Sequence, residues 1–233
     1  MNSRSLVIFD AFNTLVTARR GSEGTFLAGL AEAGLEATAS SLARLQAASE
    51  GFDHSAWSGS RESYVDWAVE SLRMAGSAGV EPCIVPALEQ LHQAPMIAMP
   101  DAVACVRRLR AVGFAIAVCS NWGWDLRADL ESTGLVEEID VFVPSAQAGF
   151  RKPHPQIYQS VLDIAGFAAG EAVFVGDNLK TDVLGPQSAG IRSVLVAPTA
   201  VDTFRGPRAA SLAEVADLLI DGDGQSPRAT RQN

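Results

Sequence analysis

The hydrophobic and polar positions change their spacing twice along the chain. Short continuous apolar runs, each followed by polar residues, predict strands buried on both faces of a parallel sheet. The first such run is LVIF at residues 6–9, and the others all come after residue 95. Five strands are predicted, at residues 6–9, 114–119, 140–143, 172–175 and 193–196.

Residues 17–95 have a different pattern, with apolar positions recurring every three or four residues and no strand-like run of any length. This spacing is typical of amphipathic helices, and glycines such as Gly34 and Gly76 separate the helical stretches. The pattern therefore predicts an all-helical insertion of about 80 residues. Its helical stretches lie near residues 22–33, 40–50, 61–75 and 83–93.

After Pro95 and Pro100, helices and strands alternate. The first helix is expected to begin at Asp101 as its cap and to end at Gly113, with Val103, Val106, Leu109 and Val112 on one face. The other helices are predicted at residues 125–133, 155–165, 182–190 and 211–220. Strands that alternate with helices predict a doubly wound parallel sheet with right-handed crossovers.

The domain organisation follows from this change of pattern. Residues 1–16 and 96–222 are predicted to form the α/β core, and residues 17–95 the inserted helical domain. The polar segment 223–233 contains Gly and Pro and is predicted to be a disordered tail.

Composition narrows the possible functions. The net charge of −9 disfavours nucleic-acid binding, which depends on clustered Lys and Arg. The sequence has no run of 18 apolar residues and no basic leader, so we expect no membrane partner and a cytoplasmic location. The three cysteines, Cys83, Cys105 and Cys119, form no CxxC pair and are expected to be buried thiols in a reducing compartment.

Polar residues follow four of the predicted strands. Asp10 comes directly after the first strand, and Ser120 and Asn121 follow the second. Lys152 lies in the loop after the third strand, and the fourth is followed by an acidic pair, Asp177 and Asp182. The carboxyl ends of parallel strands share one edge of a sheet, so these side chains are expected to meet in one crevice.

The carboxylates of such a cluster repel one another, which would destabilise the folded protein. Two carboxylates about 4 Å apart repel by about 4 kcal/mol at an effective dielectric constant near 20. Asp10 and Asp177 therefore need a cation or a shared proton between them, and hard oxygen ligands suit Mg²⁺. Ser120 could donate a hydrogen bond to a phosphoryl oxygen, and Lys152 could neutralise developing charge.

Four segments, FDAFNTL, CSN, RKPHPQIY and VGDNLKTDVLGPQSAG, resemble in order the four motifs of the haloacid dehalogenase-like hydrolase superfamily. The helical insertion resembles the cap domain of subfamily I of that superfamily. The resemblance implies a Rossmann-like core, a Mg²⁺ cofactor and an aspartyl intermediate formed on Asp10. It implies the following further roles: Lys152 as the catalytic lysine; Thr14, Ser120 and Asn121 as substrate-binding residues; and Asp10, the carbonyl of Phe12, Asp177 and a supporting Asp182 around the metal.

The sequence departs from the family pattern at one position. Family phosphatases usually carry a second Asp, the general acid and base, two residues after the nucleophile, where this chain has Phe12. General acid catalysis contributes about 10² to 10⁴-fold in rate, so an alkyl phosphate is expected to be a poor substrate. Acyl phosphates and carbon–halogen bonds are affected less, because their leaving groups depart without a proton.

Three functions are compatible with these residues. The favoured one is a Mg²⁺-dependent phosphatase-type hydrolase acting on a small, anionic phosphorylated metabolite. The main alternative is a 2-haloacid dehalogenase, because that branch also has an aromatic residue at the position of Phe12. The third is a catalytically degenerate binding protein. The cap sequence contains no motif that identifies a substrate, and the sequence predicts no oligomeric state.

Overall fold

The computed structural model describes residues 5–18, 96–199 and 204–223. The strands are β1 (Leu6–Phe9), β2 (Val16–Ala18), β3 (Met96–Ala98), β4 (Ala115–Ser120), β5 (Val141–Pro144), β6 (Ala172–Gly176), β7 (Arg192–Val196) and β8 (Arg208–Ala209). The helices are α1 (Ala102–Ala111), α2 (Leu126–Asp129), α3 (Ser145–Ala148), α4 (Pro155–Ala165), α5 (Gly185–Ser188) and α6 (Leu212–Asp223). Single 3₁₀ turns lie at Glu131–Thr133, Val136–Glu138 and Ala169–Glu171, and a π-helical segment at Leu179–Leu184.

A six-stranded parallel sheet in the order β5-β4-β1-β6-β7-β8 forms the core. All five predicted strands are confirmed, each with its ends within one residue of the prediction. The central strand β1 lies between β4 and β6, with Phe9 paired to Val118 on one side and Val175 on the other. The carboxyl ends of these three strands therefore lie side by side, as ligand sites in open α/β sheets require.

Both faces of the sheet are buried because alternate residues of each strand point to opposite faces. Val7 and Phe9 of β1 lie in an apolar layer that includes residues of α1 and α6. Leu6 and Ile8 lie in a second layer, which includes residues of α4. Helices on both faces confirm the predicted doubly wound α/β architecture.

A second, two-stranded sheet connects the core to the segment 19–95. β2 pairs antiparallel with β3, with Val16 opposite Ala98 and Ala18 opposite Met96. The chain therefore leaves and rejoins the core at neighbouring points, as an inserted domain requires. The predicted helices of the cap lie outside the described residues, and the division into core and cap stays a prediction.

Several sequence predictions were wrong in detail. The helical insertion was predicted to begin at residue 17, but β2 extends to Ala18, and the short strand β8 was not predicted. The helix predicted at 125–133 is shorter, ending at Asp129 and followed by a 3₁₀ turn. The helix predicted to begin near Asp182 begins instead as a π-helical segment at Leu179, because the Asn178 side chain accepts hydrogen bonds from the N–H groups of Lys180 and Thr181.

The ends of α1 also differ from the prediction. Asp101 occupies the N-terminal cap position, but with a left-handed φ of 62° and no hydrogen bond from its side chain to the helix. Val112 lies beyond the last helical residue and is 46% exposed, so the buried face is formed by Ala102, Cys105, Val106 and Leu109.

The C-terminal helix α6 begins as predicted and ends later. The Ser211 hydroxyl accepts a hydrogen bond from the Glu214 N–H at 3.3 Å, while the Glu214 carboxylate accepts one from the Ala210 N–H at 2.7 Å. The helix continues to Asp223 rather than ending near Ile220, so Asp223, predicted as the first residue of the disordered tail, is helical.

Two of the three cysteines can be compared with their prediction. Cys105 and Cys119 are buried free thiols, as expected, and burial raises the pKa of each to about 12. Cys83 lies outside the part of the chain that the structure describes. Within that part, no helix has the length and apolar character needed to cross a membrane.

Candidate active site

The predicted side chains do meet at the carboxyl edge of the sheet. Asp10 follows β1, Ser120 ends β4, and Asp177 follows β6. Lys152 enters from the loop between α3 and α4, and Asp182 from the π-helical segment after β6. Because the three strands are adjacent, residues separated by more than 100 positions in sequence lie within hydrogen-bond distance of one another.

The Asp10 carboxylate is buried and held by two donors. Its Oδ1 accepts a hydrogen bond from the Ser120 hydroxyl at 2.8 Å and another from Lys152 Nζ at 2.7 Å. Its backbone N–H donates to the Val175 carbonyl at 2.9 Å, which continues the pairing of β1 with β6 by one residue. The orientation of this carboxylate is therefore fixed by the sheet and by two side chains.

Lys152 is the cation of the site. It is only 4% exposed, and its Nζ bonds to both Asp10 and Asp182 at 2.7 Å while lying 4.9 Å from the centre of the Phe174 ring. Burial alone would lower its pKa, but the two carboxylates outweigh that effect and raise the pKa of Lys152 above its usual value. Lys152 is therefore a fixed positive charge rather than a proton donor.

Three carboxylates lie close together beside the Lys152 ammonium. Oxygen atoms of Asp10, Asp177 and Asp182 lie within 4.8 Å of one another. Partial desolvation and the charges of the other two carboxylates raise the pKa of Asp177 to about 6. Burial also raises the pKa of Asp182, against the opposing effect of Lys152. The described side chains of the cluster thus set three carboxylates against the one ammonium group of Lys152.

The residue before Asp177 has to be glycine for this arrangement. A Cβ atom on Gly176 would collide with the Asp182 carboxylate, which lies directly against the end of β6. Asp182 itself is only 1% exposed and accepts hydrogen bonds from Lys152 Nζ, the Thr181 hydroxyl and the Asn178 N–H. This fits the supporting role that the family resemblance implied for Asp182.

The predicted substrate-binding residues are all at the site but make internal contacts. The Thr14 hydroxyl is buried and donates to Asp177 Oδ1 over a long 3.5 Å, and Ser120 donates to Asp10. Both polar atoms of the Asn121 side-chain amide, its oxygen and its nitrogen, form hydrogen bonds with the backbone of Lys152. Substrate binding by these three residues stays a prediction.

Phe12 and Trp122 form an aromatic pair at the same edge. Phe12 is 42% exposed, and its ring centre lies 6.3 Å from that of Trp122. The Trp122 indole N–H donates to the Asp129 carboxylate at 2.7 Å, which fixes its orientation. The side chain two residues after Asp10 is therefore a partly exposed phenyl ring.

Sequence reasoning missed two residues that support the site. The Tyr158 hydroxyl donates to the Thr181 carbonyl at 2.6 Å, and its ring packs edge-on against Phe174, the ring beneath Lys152. Asn178 caps the segment that carries Asp182. The sequence did contain a signal for Asn178, because Asn is strongly preferred at helix starts.

The fold and the polar cluster define an α/β protein with an acidic site at the carboxyl edge of its sheet, and comparison with known proteins identifies its family. A family model for the haloacid dehalogenase-like hydrolases matches residues 5–190, so the chain belongs to that family. The membership confirms the resemblance drawn from the four motifs.

The relatives carry the names of more than one kind of enzyme. The human "Haloacid dehalogenase-like hydrolase domain-containing protein 3" is 33% identical over 149 residues, which are 61% of this chain and 59% of that protein. A phosphoserine phosphatase of Thermus thermophilus is 37% identical over 98 residues, or 42% of this chain and 39% of that protein. The chain thus matches less than two thirds of the length of these relatives.

Solved structures agree with the fold. A 2-haloacid dehalogenase from Pseudomonas syringae has a TM-score of 0.70 at 23% identity, covering 94% of this chain and 99% of that one. At this identity the likeness shows the fold alone.

Proposed function

We propose that the chain is a Mg²⁺-dependent, phosphatase-type hydrolase that acts through an aspartyl intermediate on Asp10. Its substrate would be a small phosphorylated metabolite with a good leaving group, because Phe12 replaces the usual general acid. We further propose that residues 17–95 form the helical cap over the site, since β2 and β3 bring the two ends of that segment together.

The observation that carries this proposal is the charge of the cluster. With Asp10, Asp177 and Asp182 ionised and Lys152 protonated, the described residues of this cluster carry three negative charges and one positive charge, an excess of two negative charges. A divalent cation balances that excess, and carboxylate oxygens are the ligands that Mg²⁺ prefers. Oxygen atoms of the three carboxylates lie within 4.8 Å of one another, close enough for these side chains to share one ion after a small movement.

The residues fall into distinct roles around that ion. Asp10, Asp177 and the Phe12 carbonyl would hold the metal, while Asp182 is held by Lys152 and braces the arrangement. When bound, Mg²⁺ would offset the charge of the acidic cluster and polarise a phosphoryl oxygen.

The chain's own side chains then perform two displacements. An Asp10 oxygen attacks phosphorus, the bond from phosphorus to the leaving group breaks, and the leaving group departs with the bonding electron pair. Lys152 and the Ser120 hydroxyl stabilise the added negative charge. Water next attacks the aspartyl phosphate, which releases inorganic phosphate and restores Asp10.

Phe12 decides which substrates can react. Its ring has no proton to give to a departing alkoxide and cannot take one from the attacking water. Leaving groups that are stable as anions, such as carboxylates and nitrophenolates, need no proton when they depart. The water that attacks in the second displacement still has no base to take its proton. We therefore expect the second displacement to limit the rate with such substrates.

A substrate panel tests the proposal. Purified protein is expected to release phosphate from acetyl phosphate and p-nitrophenyl phosphate in the presence of Mg²⁺, and to be about 10²-fold slower or more with alkyl phosphates such as glycerol phosphate. Mixing with p-nitrophenyl phosphate is expected to give a rapid burst of one nitrophenolate per active site before a slower steady rate. Stopped-flow absorbance measures the burst, and a phosphate assay measures the steady rate.

The same panel tests a second candidate function. Phe12 favours a 2-haloacid dehalogenase, and one relative, from Pseudomonas, is named "(S)-2-haloacid dehalogenase 1". Chloride release from 2-chloropropionate without Mg²⁺, combined with no phosphate release from any phosphate ester, would overturn the phosphatase proposal. Equal rates on alkyl and acyl phosphates would overturn the role given to Phe12.

Metal binding should depend on Asp177 and on pH. The pKa of Asp177 is raised to about 6 in the metal-free site, so protons compete with Mg²⁺ as the pH falls through that value. We expect Mg²⁺ to raise the melting temperature at pH 7.5 and to do so much less at pH 5. Asp177→Asn is expected to remove most of the increase at pH 7.5.

The metal-free protein provides the control for this experiment. Since the pKa of Asp177 is raised on folding, the folded state holds more protons than the unfolded state between about pH 4 and 6, and stability falls as the pH rises through that range. Asp177→Asn should therefore be as stable as the wild type or more stable without Mg²⁺ at pH 7.5. A large loss of metal-free stability would show that Asp177 has a structural role instead.

A further inference from the structure

The side chain of Asn121 faces the backbone of Lys152 across the site. Its Nδ2 donates to the Lys152 carbonyl at 3.0 Å, and its Oδ1 accepts from the Lys152 N–H at 2.7 Å. Both distances are those of good hydrogen bonds. The amide thus forms with Lys152 the same paired N–H and C=O contacts that one antiparallel strand residue makes with another.

We propose that Asn121 is a positioning residue that holds Lys152 in place, rather than a group that binds substrate. An Asn side chain has one acceptor oxygen and two N–H donors, and this pairing uses the oxygen and one donor. Lys152 lies in a loop outside the helices and strands, so the neighbouring sheet does not fix its backbone. The amide supplies that constraint from the end of β4. The catalytic consequence of this inference rests on the proposed function, whereas the positioning itself does not.

The position of Lys152 has to be accurate for its Nζ to serve two carboxylates. Both of its contacts, to Asp10 and to Asp182, are 2.7 Å long, and the ammonium is almost entirely buried. A backbone shift of about 1 Å would break at least one contact, and misplacements of that size cost about 10²-fold in enzymes. Two adjacent residues thus each position one charged group of the site: Ser120 bonds to Asp10, and Asn121 bonds to Lys152.

The sequence offers a direct way to observe this lysine. Lys152 and Lys180 are the chain's two lysines, and Lys180 is exposed. Protein labelled with ¹⁵N-lysine should show the slowly exchanging ammonium resonance of Lys152, which is assigned by its survival in Lys180→Arg. Asn121→Ala is expected to shift this resonance or broaden it through faster proton exchange.

A matched control is available nearby. Gln147 also donates a side-chain amide hydrogen bond to a backbone carbonyl, that of Trp124 at 2.7 Å, but it has no bond to Lys152. Gln147→Ala is expected to leave the Lys152 resonance and the kinetics unchanged.

A double-mutant cycle gives the kinetic test. With Lys152 present, Asn121→Ala is expected to lower kcat for p-nitrophenyl phosphate by about 10 to 100-fold with KM changed less than about 2-fold. In the Lys152→Ala background the same substitution is expected to cost less than about 2-fold, because no ammonium remains to be positioned. Its effect on melting temperature should be the same in both backgrounds, since the two hydrogen bonds involve only the backbone of residue 152.

The possible results are separable. An unchanged Lys152 resonance in Asn121→Ala overturns the inference, whatever the activity. Equal losses of kcat/KM in both backgrounds, with a raised KM, also overturn it and indicate direct substrate binding. A perturbed resonance in a protein that hydrolyses no phosphate ester supports the positioning role and counts against the proposed function.

Discussion

Asp10→Asn is expected to lower kcat/KM for acetyl phosphate and p-nitrophenyl phosphate by about 10⁴-fold or more. The amide nitrogen and oxygen of asparagine are too weakly nucleophilic to displace the leaving group from phosphorus. The loss corresponds to about 5.5 kcal/mol of transition-state stabilisation. Phosphate release and the nitrophenolate burst should both disappear, since the burst reports formation of the aspartyl intermediate.

The fold should survive this substitution. The asparagine oxygen can still accept the hydrogen bonds that Ser120 and Lys152 donate to Asp10, and Lys152 keeps its ion pair with Asp182. Asp163→Asn, a change on the exposed face of α4, is the control and should retain full activity. Retained burst amplitude in Asp10→Asn, or a large drop in its melting temperature, would contradict the role assigned to Asp10.

The strands and the location of the site could be predicted because they depend on regular patterns. A continuous apolar run such as LVIF is stable only where both faces of a strand are covered, and parallel strands bring their carboxyl ends to one edge. The meeting of Asp10 and Asp177 followed from that topology, because β1 and β6 are neighbours in the sheet. The contact of Lys152 with Asp10 depends in addition on the loop that carries the lysine.

The parts that could not be predicted depend on loop geometry. The sequence marks Asn121 as a polar residue beside Ser120, but only the path of the loop carrying Lys152 shows that the amide bonds to its backbone. The helical segment predicted to begin near Asp182 begins at Leu179, because the Asn178 side chain accepts hydrogen bonds from backbone N–H groups. Such local contacts leave no periodic pattern in the sequence.

Phe12→Asp is expected to raise kcat/KM for alkyl phosphates by about 10² to 10⁴-fold, the usual contribution of a general acid and base. The exposure of Phe12, at 42%, leaves room and solvent for a carboxylate at this position. The new side chain could protonate a departing alkoxide and then take a proton from the attacking water. The gain should be smaller for acetyl phosphate, whose first displacement needs no proton.

Phe12→Asn separates proton transfer from the removal of the aromatic ring. Asparagine has nearly the same size as aspartate and also opens the space beside Trp122, but it cannot transfer a proton at neutral pH. If the missing acid limits the enzyme, only Phe12→Asp gains activity on glycerol phosphate, and its nitrophenolate burst merges into a faster steady rate. Equal gains in both variants would assign the effect of Phe12 to steric exclusion of substrate, and no gain in either would remove the leaving-group restriction from the proposed mechanism.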